Sequence, residues 1–300
     1  MYRLVRLLCI TLIVAAGVAA PRSVRVSASA PSHPMATPTL PTGMKVDVGG
    51  YRLFIRCIGM GSPTVILDAA LGQGMSWWDA VLPGVASFTR VCAYDRAGVE
   101  KSDPRSVHPG TSMVAVKELR ILLAKAHVKG PYVLAGSANG GQNMRLYTYL
   151  HRTEVRGLVQ IDGRVVDQCT RFGADLCPPV GDFEDMDLAA SDVQLDTVTQ
   201  GKTTGSLGTL PLVVLSDGLG FDMTKGADPL WDKAQAELAS ASSNSIHVIA
   251  TLSDVSIPVI QPELVVEAIH EVVTAARSSS HTLRPCGQAF TRRGGKCVRP

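Results

Sequence analysis

The chain has 300 residues, of which 46% are hydrophobic and only 5% aromatic, enough to bury one sizeable core in a single α/β domain. Its formal charge of +3 belongs to the first thirty residues, which hold Arg3, Arg6, Arg22 and Arg25 and no acid; without them 25 basic residues face 26 acidic ones. That balance removes any electrostatic case for nucleic acid, and the absence of CxxC or Cys/His ligand spacing leaves a zinc site, or any other metal or cofactor, without sequence support.

Chain order begins with an export signature. Arg3 and Arg6 precede an apolar run from Leu7 to Ala20, and small residues follow at Ala19-Ala20 and Ala28-Ser29-Ala30. The run is short for the roughly 20 residues of a spanning helix, so residues 1–30 read as a signal peptide cut between Ala19 and Ala30 rather than as an anchor. Cys9 lies within the run, too early for a lipid-anchor cleavage site. The protein is therefore expected to be secreted or held at the cell envelope. Residues 31–43, rich in Pro, Ser and Thr, read as a flexible leader.

A domain is expected over residues 44–278. Val46-Asp47-Val48 and Tyr51 to Ile55 alternate around Gly49-Gly50 like a β-hairpin. Short apolar runs at 64–67, 91–94, 132–134, 158–161, 212–215 and 246–249 predict strands covered by helices on both faces, as in a parallel sheet. Helical periods fall between them at 112–126, 140–151, 229–240 and 262–276, the last with Leu264, Val265, Ala268, Ile269, Val272 and Val273 on one stripe. The alternation predicts a mostly parallel, doubly wound α/β sheet. Residues 163–210 break the rhythm and read as a lid or cap insertion. Residues 279–300 read as a basic, solvated tail carrying Arg292, Arg293, Lys296 and Arg299.

Six cysteines remain after removal of Cys9, in a compartment that permits disulfides. Cys169 with Cys177, and Cys286 with Cys297, are each close enough to close a local loop. Cys57 and Cys92 sit in apolar strand-like runs, where a buried free thiol and a bond are both open.

Residues 131–141 form a strand that runs into Gly136-Ser137-Ala138-Asn139-Gly140-Gly141 and then a helix. This resembles the nucleophile elbow of the α/β-hydrolase superfamily, in its esterase- and lipase-like branch. Gly61 to Asp68, Tyr94-Asp95-Arg96-Ala97-Gly98 with Ser102-Asp103, and Gln261-Pro262-Glu263 occur in the order that branch shows, so the resemblance extends from about Val46 to Ala276. It implies an α/β-hydrolase fold with the N-terminal hairpin and a lid. Matched residue by residue, the nucleophile position is Ala138, with Ser137 one step before it. A methyl group forms no acyl-enzyme. Counted back from Gln261, the histidine position is Val255, and the loop from Thr251 to Ile260 holds no histidine. Without an imidazole near neutral pKa a serine hydroxyl is not usefully deprotonated.

The remaining parts have candidates. Asp217 or Asp162 stands where the acid is expected, the backbone N–H groups of Leu71 and Asn139 would form the oxyanion hole, and Trp77 and Trp78 would line the pocket or pack beside it. Ala70 and Glu100 stand where relatives carry glycine, which predicts a less free backbone near the pocket. No catalytic set is intact. The resemblance thus implies an exported pseudo-hydrolase that binds a small apolar or acyl ligand, or a protein partner; the alternative is an atypical esterase acting on carboxylic esters through Ser137, with a histidine such as His281 brought in from the tail.

Overall fold

The protein is described as a computed structural model covering residues 42–106, 108–173, 177, 179–180, 186–220, 229–284, 291–293 and 296–298. The signal peptide read over 1–30 and nearly all of the leader read over 31–43 lie outside the described residues, as does Cys286 of the proposed second loop pair.

Strands β1 (Met44–Asp47) and β2 (Arg52–Ile58) form the expected hairpin, with Met44 opposite Ile55 and Asp47 opposite Arg52. Its turn needs positive φ, supplied by Gly49 at 130° and Gly50 at 99°, and the Asp47 carboxylate accepts from both glycine N–H groups at 3.0 and 3.3 Å. Six parallel strands follow: β3 (Thr64–Asp68), β4 (Val91–Tyr94), β5 (Tyr132–Ser137), β6 (Val155–Ile161), β7 (Leu212–Asp217) and β8 (Ser245–Ala250). They lie in the order β1-β2-β4-β3-β5-β6-β7-β8, which puts β5 at the middle of the sheet.

Alternation along each strand divides the core into two layers. Val65, Leu67, Val133, Ala135, Val213 and Leu215 pack with α1 (Leu82–Ala86) and α8 (Pro262–Arg277) on one face. Ile66, Leu134, Leu212 and Val214 pack on the other with α2 (Ser112–Lys125), α3 (Asn139–Leu150) and α6 (Pro229–Ala239). The apolar stripe read on the last helix is the buried face of α8.

Residues 163–210 contain α4 (Gln168–Phe172) and α5 (Leu188–Thr199). Helix α5 docks on the N-terminal ends of α2 and α3: Ser112 N donates to Ser191 Oγ at 2.9 Å, Met113 N to Gln194 Oε1 at 3.0 Å, and Gln142 Nε2 to Asp192 Oδ1 at 2.7 Å. A short helix, α7 (Ile257–Ile260), closes the loop after β8.

One open alternative is resolved and one expectation changes. Cys57 and Cys92 are disulfide-bonded, because the β2–β4 ladder sets them directly opposite each other; Cys169–Cys177 is bonded as read. The tail also contributes structure: β9 (Thr291–Arg293) and β10 (Lys296–Val298) pair as a hairpin, and β10 runs parallel to β8, with Cys297 beside Val248. A free backbone edge at β8 is a template for pairing, which a charge-based reading of the tail does not detect. The two disulfides are compatible with an extracellular protein, and no helix among the described residues is long and apolar enough to cross a membrane.

Candidate active site

Strand β5 ends at Ser137 and α3 begins at Asn139, so the whole reversal falls on Ala138, at φ 48° and ψ −116°. An L-residue rarely adopts this conformation, and holding one there costs roughly 1–3 kcal/mol. The surroundings enforce it. Ala138 N donates to Ile161 O at 3.0 Å, and Ala138 O accepts from Arg164 N at 3.1 Å and Gln142 N at 3.3 Å. Two glycines are required by close approach: a Cβ on Gly136 would strike the Gly140 carbonyl, and one on Gly140 would strike the carbonyls of Asp68 and Ala69. Ala138 is half-buried at the carboxyl edge of the sheet, whereas Ser137 belongs to the strand, is 1% exposed, and makes no hydrogen bond to any imidazole among the described residues.

The loop after β3 is held from behind. Arg96 Nη1 donates to Asp68 Oδ1 and to Ala69 O at 2.7 Å, Arg96 Nη2 donates to Ala70 O at 2.7 Å, and Asn143 Nδ2 donates to Asp68 Oδ2 at 3.0 Å. Asp68 and Arg96 are completely buried, so each charge depends on the other. The Asp95 carboxylate takes Met75 N at 2.6 Å, and burial raises its pKa above the usual carboxylate value. Ala70 needs no positive φ; Glu100 does, at 41°, and its carboxylate accepts from the N–H and hydroxyl of Ser76. The glycine-to-glutamate change therefore ties down the turn containing Trp77 and Trp78 (residues 75–78). Trp78 is fully buried in the core, and Trp77 is half-buried against the same cluster.

The two oxyanion candidates keep their donors. Among the described residues, neither the Leu71 nor the Asn139 backbone N–H donates to a protein acceptor. The Asn139 side-chain amide is 2% exposed, and both its Nδ2 and Oδ1 lack hydrogen-bond partners. The Leu71 and Asn139 backbone N–H groups and the buried Asn139 side-chain amide thus lack protein partners among the described residues, and such a buried amide is normally paired.

The acid end is organised differently. Asp162 follows β6 at φ 47° and Asp217 ends β7; each is 2% exposed. Asp162 Oδ1 accepts from Asp217 N at 3.1 Å and Trp231 Nε1 at 3.0 Å. Burial, then the neighbouring Asp217 charge, pushes the Asp162 carboxyl well above the ordinary 3.8. Burial also raises Asp217, while the hydrogen bond from Asp162 works the other way. The two candidate acids are therefore neighbours joined through the Asp217 N–H, while Asp162 Oδ2 and Asp217 Oδ2 are buried without a partner. Sequence reading treated them as alternatives and missed the pair and its Trp231 donor; the visible signal was a strand ending in Asp-Gly twice, at 162–163 and 217–218.

The loop after β8 is built without an imidazole. Ser253 Oγ donates to Gln261 Oε1 at 2.9 Å, Leu252 N donates to the same oxygen at 3.2 Å, and Ser256 N donates to Asp254 Oδ1 at 2.7 Å. Val255 is half-buried in the turn between them, and Leu252, Val259 and Ile260 are exposed around it. His270 stacks edge-on against Phe88, and the His281 carbonyl accepts from Asn244. His247 lies on β8 within 2.8 Å of Ser216 Oγ. That serine is fully buried inside β7, where no substrate reaches it, so the contact satisfies a core hydroxyl. No group of His, Cys, Asp and Glu among the described residues is arranged to hold a metal ion.

No family model matches the sequence. The uncharacterized protein YqjL of Bacillus subtilis (strain 168) is 27% identical over 223 residues, 73% of this chain and 86% of that protein. The probable transporter efuK of Hormonema carpetanum is 29% identical over 124 residues, 39% of this chain; the match spans only 18% of the transporter's length. Among solved structures, a thermophilic esterase from Thermogutta terrifontis matches with a TM-score of 0.60 at 18% identity, covering 79% of this chain and 100% of that one. The haloalkane dehalogenase DatA from Agrobacterium tumefaciens C58 matches at 0.59 and 14% identity, covering 78% and 97%.

Proposed function

Taking the α/β-hydrolase fold as established by strand order and by these structural neighbours, we propose that the protein is an exported, catalytically impaired hydrolase homologue. It would use the elbow and its free backbone donors to hold a carbonyl-bearing apolar or acyl ligand, or would present that edge of the sheet to a protein partner. One observation carries the reading: the strained elbow backbone is kept, with φ 48° at a residue that has no hydroxyl. Strain of this kind persists where the surrounding structure holds it for use, and the Leu71 and Asn139 N–H groups beside it need no side-chain chemistry.

Three further observations support it. Ser137 is buried on the strand side of the bend, Asp162 and Asp217 engage each other rather than a histidine, and the loop after β8 places a valine among apolar exposed neighbours. A serine-directed fluorophosphonate probe separates this reading from an atypical esterase. Labelling below a few per cent of sites is expected for the full chain; stoichiometric labelling abolished by Ser137→Ala would overturn the proposal and restore the esterase.

A further inference from the structure

Away from the elbow, a cavity of about 140 Å³ lies between α3, the turn after β6, α5 and α6, and no elbow residue lines it. Its most unusual wall is Arg145. This guanidinium sits on α3, is 1% exposed, and makes one hydrogen bond among the described residues, from Nη2 to Arg164 O at 2.8 Å; its Nε is buried without a partner. Arginine carries five donors and stays charged, so four of them have no protein partner among the described residues.

The nearest carboxylate cannot serve it. Asp192 Oδ1 already accepts Gln142 Nε2 at 2.7 Å and Arg164 Nη2 at 3.2 Å, and Asp192 Oδ2 accepts Arg164 Nη2 at 3.2 Å and Cys169 N at 2.9 Å. That fills the roughly four lone-pair sites of a carboxylate. Arg164 thus occupies the buried Asp192 carboxylate, and the buried Arg145 guanidinium lines the cavity without an ion-pair partner among the described residues.

We infer that this cavity is a binding site for a small organic monocarboxylate, with the Arg145 guanidinium taking the carboxylate group. The rest of the lining selects within the anions. Val165, Ala234 and Leu238 make apolar walls, which suit a short acyl or alkyl chain rather than an inorganic ion. Arg171 is engaged by Asp167 at 3.4 Å and by Glu237 at 2.8 Å, so that group carries one net negative charge and leaves Arg145 as the cation available to a ligand. Asp196 lines the rim, exposed and without an ion-pair partner among the described residues, and its charge disfavours a dianion. Compact size, one buried cation and an acidic rim together fit acetate- to butyrate-sized monoanions and oppose phosphate. The site is independent of the elbow and stands whether or not the elbow is catalytically silent.

Calorimetric titration of the full chain at neutral pH with butyrate and with inorganic phosphate tests this. Saturable butyrate binding with a Kd of about 1 mM or tighter is expected, at least tenfold tighter than phosphate. Arg145→Met removes the charge while keeping side-chain bulk, and should weaken butyrate by about tenfold or more. Where that variant fails to fold, Asp196→Asn, at an exposed rim position, keeps the proposal open to refutation and should tighten butyrate by about two- to fivefold at low salt. Absence of butyrate binding up to about 50 mM, phosphate binding tighter than butyrate, or affinities unchanged in both variants would overturn the assignment.

Discussion

The two sides of the candidate site differ in what they retain. Around β3, β5 and α3 the backbone is held in a demanding shape: a left-handed alanine, two glycines pressed against carbonyls, and the Asp68–Arg96 pair behind the oxyanion loop. Around β6, β7 and β8 the side chains have settled with one another, Asp162 with Asp217 and Trp231, Ser216 with His247, and Ser253 with Gln261. The first side is held by backbone strain and close packing, and the second by side-chain contacts that leave Asp162 Oδ2 and Asp217 Oδ2 without a partner. On the proposed reading, backbone donors hold a ligand without an acid, base and nucleophile acting together, because their positions depend on the fold and not on a titratable group.

Perturbing the strained side should have the largest effect. Gly140→Ala drives a methyl into the carbonyls of Asp68 and Ala69; a loss of about 3 kcal/mol or more in urea unfolding is expected, and a loss under 1 kcal/mol would mean the elbow is looser than drawn. On the satisfied side, Asp162→Asn keeps Oδ1 for Asp217 N and Trp231 Nε1 and offers an N–H to the Asp217 carboxylate. Burial raises the Asp162 carboxyl above the ordinary 3.8 of the unfolded chain, so the folded form binds more protons above that pH and stability falls as pH rises towards the raised pKa. The variant should therefore be more stable at pH 7 by about 1–2 kcal/mol and show a flatter stability-pH profile between about 4 and 7. Equal slopes in the two proteins would show that the pair does not share a proton.

A smaller gain, about 1 kcal/mol, is expected from Ala138→Gly, which relieves the left-handed alanine without altering a contact. Destabilisation by that change would argue that the methyl packs usefully at the bend. The smallest expected effect is on chemistry: Ala138→Ser alone should leave hydrolysis of p-nitrophenyl acetate and butyrate at background, since Val255 supplies no base and Asp162 and Asp217 are occupied with each other. A gain of about a hundredfold or more from that single substitution would reveal a histidine acting from elsewhere.

Much of this architecture is visible in the sequence because its physics is local. Every expected strand of the parallel sheet appears within a few residues of its apolar run, since a segment such as Thr64-Val65-Ile66-Leu67 can be buried on both faces only as an inner strand. The helices at 112–125, 139–150, 229–239 and 262–277 likewise follow their period. The elbow could be located because Gly136 and Gly140 mark where side chains do not fit. Helix α5 was not separable from its loop by pattern, as its apolar residues show little helical amphipathicity and its position is set by Ser191, Asp192 and Gln194 reaching the ends of two other helices. The tail strands escaped notice for a related reason: their pairing depends on an open edge at β8.

Composition and order of residues were enough to specify which segments are buried, where the chain must turn sharply, and that the bend bears a methyl rather than a hydroxyl. Those features follow from each residue's own size, polarity and backbone preference. Which charges end up facing one another required the assembled fold. The Cys57–Cys92 bond, the raised carboxyl of Asp162 next to Asp217, and the under-partnered guanidinium of Arg145 all depend on residues from different elements. Their energies depend on distance and on exclusion of water, and neither quantity exists until the sheet and its helices have packed.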